Sequence, residues 1–590
     1  MLNDVKHPSA RLTTDRQRIN GGLGFPLPCV PCLPSLPLLG VVLLLLLTGC
    51  SRLTRTDAVV TPAVSPGPSV PVRVSSVPLD APQQCLNQFV AHTLDHTTTV
   101  HGDVVHLFES NGAGVAVNDL DGDGRLDIVL ADLNGPSTIL WNEGDFHFRK
   151  ETLDESNTRA VNIVDVDGDG RLDIVFTHRT SGVSYWHNEG GPPGAGSQFA
   201  RRTLPNVLAP AYVMAWGDLW GKGDLDLVTG SYDAELSQVQ ANAFLFSNNG
   251  GVYVYHHDGD AFLPQRLTDH AQALAIALTD LKGDGHPDII IGNDFEEPDA
   301  MWRRAGDTWQ SIAPFRETTE STMSFDWGDI DNSGQTALFA ADMKAYEIDV
   351  RALAAWLPMM ADMHPHLPKS DPQIMENVLH LPDGSGGFKD EAQRRGVDAT
   401  GWSWSSQFGD LDNDGYLDLY VVNGMIAKEL FGYLPNNELV EANQAFRNNG
   451  AGRFVPAPSW GLGSSASGRG MVMADLNNDG QLDIVVNNLQ SPAQLFENRL
   501  CGGGSVEVDL AWPDSHNTRA VGAKVTLHTS AGDLTRDVRS ASGYLSGPPS
   551  RLHFGFPADA KLQGLDIRWS DGAVSSVAPV TSQTRLTVTR

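Results

Sequence analysis

The chain has 590 residues, 72 of them acidic, and a formal net charge of −31 at pH 7. It offers no basic stripe to hold phosphates, so this composition argues against a nucleic-acid partner. The length would suit about four ordinary domains, but a repeat array counts as one domain whatever its length.

Residues 1–49 have the pattern of an export signal. Basic residues precede an apolar run that is too short to span a bilayer and ends in Leu47-Thr-Gly-Cys50. This resembles a bacterial lipoprotein signal, which implies cleavage before Cys50 and lipidation of its sulfur. An ordinary signal peptide without lipid is the alternative. We expect an exported protein at the bacterial outer membrane, cell surface or periplasm, in contact with the membrane only through the lipid.

Residues 50–82 are rich in Ser, Pro, Thr and Val and are predicted to form a flexible tether. The region that follows, residues 83–502, is organised by the nine-residue pattern Asp119-Leu-Asp-Gly-Asp-Gly-Arg-Leu-Asp127, which returns six more times in intact or damaged form. We number these copies loops 1 to 7, and they begin at Asp119, Asp165, Asp218, Asp280, Asp329, Asp410 and Asp475.

The intact loops have the chemistry of a calcium site. Acids at positions 1, 3, 5 and 9, with a backbone carbonyl at position 7, offer the oxygen ligands that Ca²⁺ prefers. The flanks are β-branched runs such as Ile128-Val-Leu130, which favour a hairpin over the helices of an EF-hand. Ordinary Asp/Gly turns without ions are the alternative.

Loops 1, 2 and 6 keep all four acids, and loop 7 has one amide, whose carbonyl oxygen can still bind a metal. About four structural Ca²⁺ ions are therefore expected. The predicted ligands, which include the position-7 residues through their carbonyls, are Asp119, Asp121, Asp123, Arg125, Asp127, Asp165, Asp167, Asp169, Arg171, Asp173, Asp410, Asp412, Asp414, Tyr416, Asp418, Asp475, Asn477, Asp479, Gln481 and Asp483.

The other three loops have lost ligands. Loop 3 carries Trp220 and Lys222 at positions 3 and 5, and loop 4 carries Lys282 at position 3. An ammonium group has no lone pair for a metal, so we expect each lysine to lie among the remaining carboxylates of its loop. Loop 5 has Ser333 and Ala337 at positions 5 and 9, which leaves a weak site at most.

Each loop lies between two short apolar strands, and many are followed by an aromatic strand that ends in an Asn/Gly turn, as in Leu140-Trp-Asn-Glu-Gly144. Four-stranded antiparallel units at this period indicate a β-propeller, and seven loops predict seven blades. Residues 503–590 contain seven short alternating strands without acidic loops, which predict a small β-sandwich-like domain. The predicted fold class is thus all-β.

One helix is predicted, from Asp349 to Met363, with a Met-rich face that packs on the propeller. A copper or zinc site is the alternative; its candidate ligands are Met359, Met360, Met363, His364 and His366.

Closure of the ring is also predicted. The segment Asn87–Leu94 precedes the first blade and has no blade of its own, so we expect it to pair beside Ala493–Asn498 as the outermost strand of blade 7. That pairing would bring Cys85 close to Cys501, and an oxidising compartment would permit a disulfide between them. Two unrelated thiols are the alternative.

Three further motifs point to a family: Thr322-Met-Ser-Phe-Asp-Trp-Gly-Asp-Ile-Asp331, Gly401-Trp-Ser-Trp-Ser-Ser-Gln-Phe-Gly-Asp-Leu-Asp-Asn-Asp-Gly415 and Asn517-Thr-Arg-Ala-Val-Gly-Ala-Lys-Val525. The repeats resemble the FG-GAP/VCBS repeats of integrin α-chain propellers. The order of motifs resembles the cartilage acidic protein family, and the last motif is similar to the opening of an ASPIC/UnbV domain. This resemblance covers about residues 85–590; it implies the fold and the calcium loops, but it leaves the biochemical role open.

The sequence contains no Gly-x-Ser-x-Gly elbow, His-Glu-x-x-His motif or phosphate-binding glycine loop, and the spacing of His256, His257, His364 and His380 implies no shared site. We expect a binding or adhesion module for a protein or glycan ligand, and not an enzyme. The alternative is a glycan-active lyase or hydrolase that uses one propeller face. A pocket on the ring axis with converging carboxylates or histidines would favour the enzyme.

Overall fold

The computed structural model describes residues 67–240, 249–259, 261–295, 297–363 and 371–590. The predicted signal, the lipidation site Cys50, and His364 and His366 of the alternative metal site lie outside the described residues. None of the helices that the structure does describe has the length and apolar character needed to cross a membrane.

In the described chain, seven successive antiparallel sheets lie between Gln88 and Arg499, and each contains one of the seven loops. We number the sheets by their loops. Sheet 1 consists of Val115–Asn118, Asp127–Leu130, Ser137–Asn142 and Phe148–Leu153. Sheet 2 consists of Thr158–Val164, Asp173–His178, Ser184–Gly190 and Gln198–Arg202. Sheet 3 consists of Val213–Gly217, Asp226–Gly230, Val252–Asp258 and Ala261–Thr268, and sheet 4 of Ala273–Thr279, Asp288–Asn293, Ala300–Ala305 and Thr308–Ile312.

Of the remaining three sheets, sheet 6 has five strands, and sheet 7 takes its outermost strand from the N-terminal part of the chain. Sheet 5 consists of Ser324–Gly328, Ala337–Ala341, Val378–Pro382 and Phe388–Asp390. Sheet 6 consists of Met343–Lys344, Gly401–Gly409, Asp418–Asn423, Gln444–Asn448 and Phe454–Pro456. Sheet 7 consists of Gly468–Ala474, Asp483–Asn488, Pro492–Arg499 and Gln88–Thr97.

The sheets form a closed ring. The strand that enters each loop contacts the corresponding strand of the next sheet, and Gly468–Ala474 of sheet 7 contacts Val115–Asn118 of sheet 1. These strands are almost fully buried. A Cβ atom on Gly409 would lie 2.5 Å from Sδ of Met473 in the next sheet, so the small residue permits the close approach of the two sheets. The fold is an all-β propeller, as predicted.

The N-terminal strand closes the ring. Gln88–Thr97 pairs antiparallel with Pro492–Arg499, so that Phe89 lies opposite Asn498. Cys85 and Cys501, just beyond the paired ends, are joined by a disulfide with their Cα atoms 5.3 Å apart. Sheet 7 therefore joins Gln88–Thr97, the first strand of the ring, to Pro492–Arg499, the last, by strand pairing and by the disulfide.

Three sheets carry long insertions between their second and third strands, and the described residues of these insertions are 231–240, 249–251, 342–363, 371–377 and 424–443. Because the strands are antiparallel, these insertions lie at the end of the sheets opposite loops 1 to 7. We call the two ends the insertion face and the loop face. The described α-helices are Asp233–Gln240, Val350–Met363, Ala392–Arg395 and Lys428–Phe431, and the 3₁₀-helices are Glu109–Asn111, Pro435–Asn437 and Pro458–Trp460. Two-stranded sheets pair Thr318–Thr319 with Gln373–Ile374 and Met425–Ile426 with Glu438–Leu439.

The predicted helix is present as Val350–Met363. Its Trp356 and Met359 are buried, and the Trp356 ring lies 5.5 Å from the ring of Trp402 in sheet 6. Met360 packs against the same core. The helix thus buries its apolar side on the propeller.

The C-terminal domain consists of two four-stranded sheets that share one apolar core. The first contains Arg73–Pro78, Thr584–Thr589, Gly504–Ala511 and Leu552–Phe556, and the second contains Gly532–Asp537, Lys524–Thr529, Leu562–Arg568 and Val574–Val577. Val506, Phe554, Val525 and Leu565, two from each sheet, lie in this core. The arrangement is sandwich-like.

The structure corrects one predicted boundary. Within the predicted tether, residues 50–82, Arg73–Pro78 forms a strand that pairs antiparallel with Thr584–Thr589. Val70 and Val72 also pack against the core of the C-terminal domain. A segment rich in Ser and Pro builds no core of its own, but it can add an edge strand to a sheet that other residues have built. The tether prediction was therefore wrong for this stretch.

Candidate calcium centres and the covered loop face

The backbone of each loop curls around its first aspartate. In loop 1 the Asp119 carboxylate accepts hydrogen bonds from the N–H groups of Gly122 and Gly124, both at 2.9 Å. The same bond from position 6 to position 1 is present in all seven loops. Both glycines have positive φ, at 73° and 91°, which favours glycine.

The position-9 aspartate joins the loop to its sheet. Asp127 accepts a bond of 3.0 Å from Leu120 N–H in the loop and one of 2.9 Å from Asn142 N–H in the third strand. Loops 2, 3, 6 and 7 repeat both bonds. The carboxylates are therefore positioned by the backbone.

In three loops the carboxylates at positions 1, 3 and 9 converge. Oxygen atoms of Asp119, Asp121 and Asp127 lie within 4.8 Å of one another. The corresponding groups in the other two loops are Asp165, Asp167 and Asp173, and Asp410, Asp412 and Asp418. Loop 7 forms no such group of three among its described acids, because Asn477 occupies position 3.

Two of these groups contain an oxygen that lacks a partner. Oδ1 of Asp121 and Oδ1 of Asp412 are buried and find no hydrogen-bond partner among the described residues. Leaving a buried carboxylate oxygen unpaired costs free energy. A cation would satisfy it, and an all-oxygen donor set suits Ca²⁺. The residues therefore fit the ion.

Burial raises the pKa of the clustered acids, and the neighbouring carboxylates raise it further. The pKa values of Asp127, Asp173 and Asp410 each rise to about 8. Burial and nearby carboxylates hold the pKa values of Asp418 and Asp483 well above the ordinary value. Without a counter-ion these clusters resist full ionisation, and a bound divalent cation removes that resistance.

The position-5 acids lie outside the groups formed by positions 1, 3 and 9, and Asp169 forms a separate group with Asp167 and His187. Asp123 is bonded by the side chain of Arg125, and Asp169 by that of Arg171. Asp414 receives Arg447 Nη2 at 2.8 Å, and in loop 7 the Asn477 amide donates to Asp479 at 3.1 Å. In all four loops the position-7 residue donates its backbone N–H to the position-5 acid; these residues are Arg125, Arg171, Tyr416 and Gln481.

Protein cations lie among the acids of damaged loops 4 and 5, as Arg447 does beside Asp412 and Asp414 of intact loop 6. In loop 4, Lys282 Nζ lies 3.1 Å from Asp284, and Arg303 binds Asp288 through two bonds of 2.7 Å. In loop 5, Arg395 lies 3.2 Å from Asp331.

Loop 3 differs from the expectation for Lys222, which makes no ion pair with Asp218 or Asp226 in the described part of the chain. His256 Nδ1 bonds Asp226 at 2.9 Å instead, because the third strand of the same sheet brings this ring directly over the loop. The sequence signal that could have predicted this contact is a basic residue in the third strand of the sheet. Arg303 and Arg447 occupy the third strands of sheets 4 and 6 in the same way.

The Asn of the Asn/Gly turn has a role that the sequence did not reveal. Nδ2 of Asn142 donates to Leu126 O of its own loop and, at 2.7 Å, to Leu476 O in the neighbouring loop 7. The same inter-sheet bond is made by Asn188 to Leu120, by Asn448 to Ile330 and by Asn498 to Leu411. These amides therefore join neighbouring sheets at the loop face by hydrogen bonds.

The C-terminal domain covers the loop face. Its side chains bond the loops directly: Thr518 with Asp165, Ser570 with Asp218 at 2.8 Å, Arg551 with Gly124 O at 3.2 Å and His553 with Gly480 O at 3.1 Å. These contacts involve loops 1, 2, 3 and 7. The candidate calcium centres of loops 1, 2 and 7 therefore lie beneath or beside a second domain.

The segment Arg539–Arg551 of that domain enters the ring axis, where Tyr544 is fully buried. Its bonds reach the innermost strands of six sheets: Ser540 with Trp216 O, Gly543 with Phe325 O, Tyr544 with Ser405, Leu545 O with Val161, Ser546 with Met471, and Gly547 with Val115 O. The axis at the loop face is thus filled by the chain itself.

Two family models match this chain. The FG-GAP-like repeat matches residues 119–176, 165–229, 280–340, 372–421 and 432–486, and the model described as ASPIC and UnbV matches residues 512–590. No curated protein matches significantly.

Similar solved structures include BBS1N in complex with ARL6DN, soaked with lead, at 9% identity and a TM-score of 0.35, covering 65% of this chain and 91% of that one. The SapL1 lectin in complex with alpha methyl fucoside has 13% identity and a TM-score of 0.29, covering 58% of this chain and 95% of that one. From its five repeat matches and its C-terminal match, the chain belongs to the proteins that combine an FG-GAP repeat propeller with a C-terminal ASPIC/UnbV domain.

Proposed function

We propose that the protein is an exported, calcium-stabilised binding module that recognises a protein or glycan at the cell surface with its insertion face. The observation that carries this proposal is the position of Arg539–Arg551, which fills the axis at the loop face. With one end of the ring covered, the insertion face is the end that can receive a large ligand.

The insertion face carries the surface expected of a binding site. Ile348, Val350, Leu357, Tyr433 and Val440 are exposed apolar residues on two of its insertions. The Tyr433 hydroxyl donates to Ala355 O at 2.7 Å, which holds these two insertions side by side. Exposed apolar groups gathered in one region favour recognition of a partner.

Export and lipid anchoring at Cys50 remain part of the proposal. The Cys85–Cys501 disulfide supports export, because such bonds persist in oxidising compartments. The acidic clusters of the loops support bound calcium, with the ligand sets predicted above. Ca²⁺ would supply positive charge that pins the loops, and this role requires no catalysis.

The proposal is tested by screening the secreted protein against glycan and surface-protein arrays. Val350→Glu and Leu357→Glu place charge on the insertion face at residues that are 86% and 57% exposed. Val455→Glu is the matched control, because Val455 is also exposed but lies on the outermost strand of sheet 6. We expect at least a tenfold loss of binding in the first two variants and none in the control.

Equal binding by all variants would contradict the proposed face. Products released from any bound glycan would instead establish the lyase or hydrolase alternative.

A further inference from the structure

Three side chains outside the predicted calcium ligand sets converge where loop 3 meets the C-terminal domain. Asp224 belongs to loop 3, His257 to the third strand of sheet 3, and His516 to the C-terminal domain. Each offers one ligand atom, and these atoms lie within 4.8 Å of one another.

The geometry is close to that of a metal centre. His516 Nδ1 lies 3.2 Å from Asp224 Oδ1. Two ligands of a tetrahedral zinc ion, each at about 2.0–2.2 Å from the metal, are roughly 3.3 Å apart. The His257 and His516 rings have centroids 5.5 Å apart, and His257 stacks on Phe262 at 4.6 Å with an interplanar angle of 7°. This stacking fixes the plane of the His257 ring.

An independent observation comes from His257 itself, which is only 6% exposed. Its Nδ1 is buried and has no hydrogen-bond partner in the part of the chain that the structure describes. An imidazole with an unpaired buried nitrogen is a ready metal ligand.

Hydrogen bonds from the two residues beside His516 hold it in place. Ser515 Oγ and Asn517 N–H, on either side of it, both donate to Gly223 O, the latter at 2.9 Å. Gly223 directly precedes Asp224 in loop 3. The histidine is therefore carried to the loop by docking of the C-terminal domain and does not depend on a flexible side chain to reach it.

We propose that Asp224, His257 and His516 bind one divalent transition-metal ion of the zinc class, which fastens the C-terminal domain to the propeller. Two imidazoles and one carboxylate suit Zn²⁺ and similar ions, whereas Ca²⁺ prefers oxygen ligands. The His516 and Asp224 side chains are 49% and 30% exposed, so the ion can enter from solvent and keep a water as its fourth ligand. Loop 3 has lost its own calcium ligands. At this site a different cation would bind where loop 3 meets the C-terminal domain.

The test is zinc titration of the full-length protein, prepared without a histidine tag, in millimolar calcium that occupies the oxygen-only sites. Calorimetry and elemental analysis after gel filtration report the bound zinc. We expect wild type to retain about one zinc equivalent, and His516→Gln and Asp224→Asn to lose it, since even the loss of an outer-shell partner typically weakens binding by about 10–100-fold.

His528→Gln is the matched control, because His528 is another partly exposed histidine of the C-terminal domain, 2.8 Å from Asp533 and 3.0 Å from Asp566, but belongs to no histidine pair. It should retain the zinc equivalent. His516 is a surface residue, so its variant keeps the fold where a change at buried His257 would disturb it. The zinc-induced rise in melting temperature should likewise be present in wild type and absent in His516→Gln.

Absence of zinc from wild type, or retention of zinc by His516→Gln, would overturn the proposal. Loss of zinc from His528→Gln would overturn it as well, because the ion would then lie beside Asp533 and Asp566. These outcomes are independent of whether the insertion face binds a ligand.

Discussion

Single side chains separate the loops that fit an ion from those that do not. Asp218 of loop 3 accepts Gly223 N–H at 2.9 Å and Asp329 of loop 5 accepts Gly334 N–H at 2.7 Å, just as the intact loops do. The first aspartate and the glycine therefore set the turn, whereas positions 3 and 9 decide whether carboxylates converge. This part of the site could be predicted from sequence because ligands and spacing are local.

At position 3 of loop 1, Asp121→Ala removes the buried unpaired oxygen and one ligand. We expect the loss of about one of roughly four bound calcium ions, and a loss of about 1–2 kcal/mol from the free energy of unfolding in millimolar calcium. Asp331→Ala, at position 3 of loop 5, is the control and should lose no calcium. Elemental analysis and thermal unfolding measure both effects; unchanged calcium content in Asp121→Ala would contradict the assignment.

A second residue-scale prediction concerns Arg539, which joins the axial segment to sheet 5. It bonds the buried carboxylate of Asp326 and, at 2.9 Å, Trp327 O, and its guanidinium lies 4.3 Å from the centre of the Trp327 ring. Arg539→Ala leaves Asp326 buried without its cation, which typically costs about 3–5 kcal/mol.

Chemical denaturation should detect this loss of stability, and the double variant Asp326→Asn, Arg539→Ala should recover part of it. Arg453→Ala, at an exposed site, should change little. A loss in Arg539→Ala no larger than in Arg453→Ala would show that the pair contributes nothing.

At the scale of elements, the sequence predicted those that carry a local pattern. The helix Val350–Met363 and the strand Gln88–Thr97 were expected, the first from its composition and the second because it had no blade of its own. The strand Arg73–Pro78 was missed, because its partner Thr584–Thr589 lies some five hundred residues away. His256, which takes the place expected for Lys222, was missed for the same reason: strand pairing, and not spacing, brings it to loop 3.

The strand Gln88–Thr97 gives an element-scale prediction. Cys501→Ser removes the disulfide beside its pairing with Pro492–Arg499. We expect a loss of about 2–5 kcal/mol in stability and earlier proteolysis within residues 67–97. Differential scanning calorimetry and limited proteolysis test this. Wild type treated with reductant should behave like the variant, and a melting temperature unaffected by both changes would contradict the prediction.

For the whole molecule, the propeller and the C-terminal domain share a core. Trp216 and Leu227 of sheet 3 lie in the same apolar cluster as Val525 and Trp569 of the C-terminal domain. The sequence predicted both domains, but it could not predict that the second covers the loop face, because that placement rests on contacts such as Ser570 with Asp218 that no local pattern encodes.

The acidic clusters predict how stability depends on pH. In the calcium-free fold the pKa values of Asp127, Asp173 and Asp410 are about 8, against 3.8 for an ordinary aspartate. Between these values the folded state binds more protons than the unfolded state, so stability falls as pH rises from about 4 to about 8.

Chelator-treated protein should therefore melt at a lower temperature at pH 8 than at pH 5. Saturating calcium should remove or reverse this difference, since the ion favours the ionised carboxylates. Thermal melts at both pH values, with chelator or calcium, make the comparison. A chelator-treated protein that is more stable at pH 8 would contradict the predicted direction.

The disulfide also determines how the molecule would respond to mechanical tension. If the chain is held upstream of residue 67 while a ligand pulls on the insertion face, force enters through Arg73–Pro78, which is only an edge strand of the C-terminal domain. Once that strand had detached, and without the disulfide, the tension would act next on Gln88–Thr97 and open the ring. Cys85 lies between the two strands and is covalently joined to Cys501, so the load passes to Cys501, just past Arg499 of the partner strand, before it reaches the ring-closing pair. The disulfide would therefore prevent tension from separating Gln88–Thr97 from its partner strand. A protein anchored upstream of residue 67 would lose the strand Arg73–Pro78 under tension while its ring stays closed.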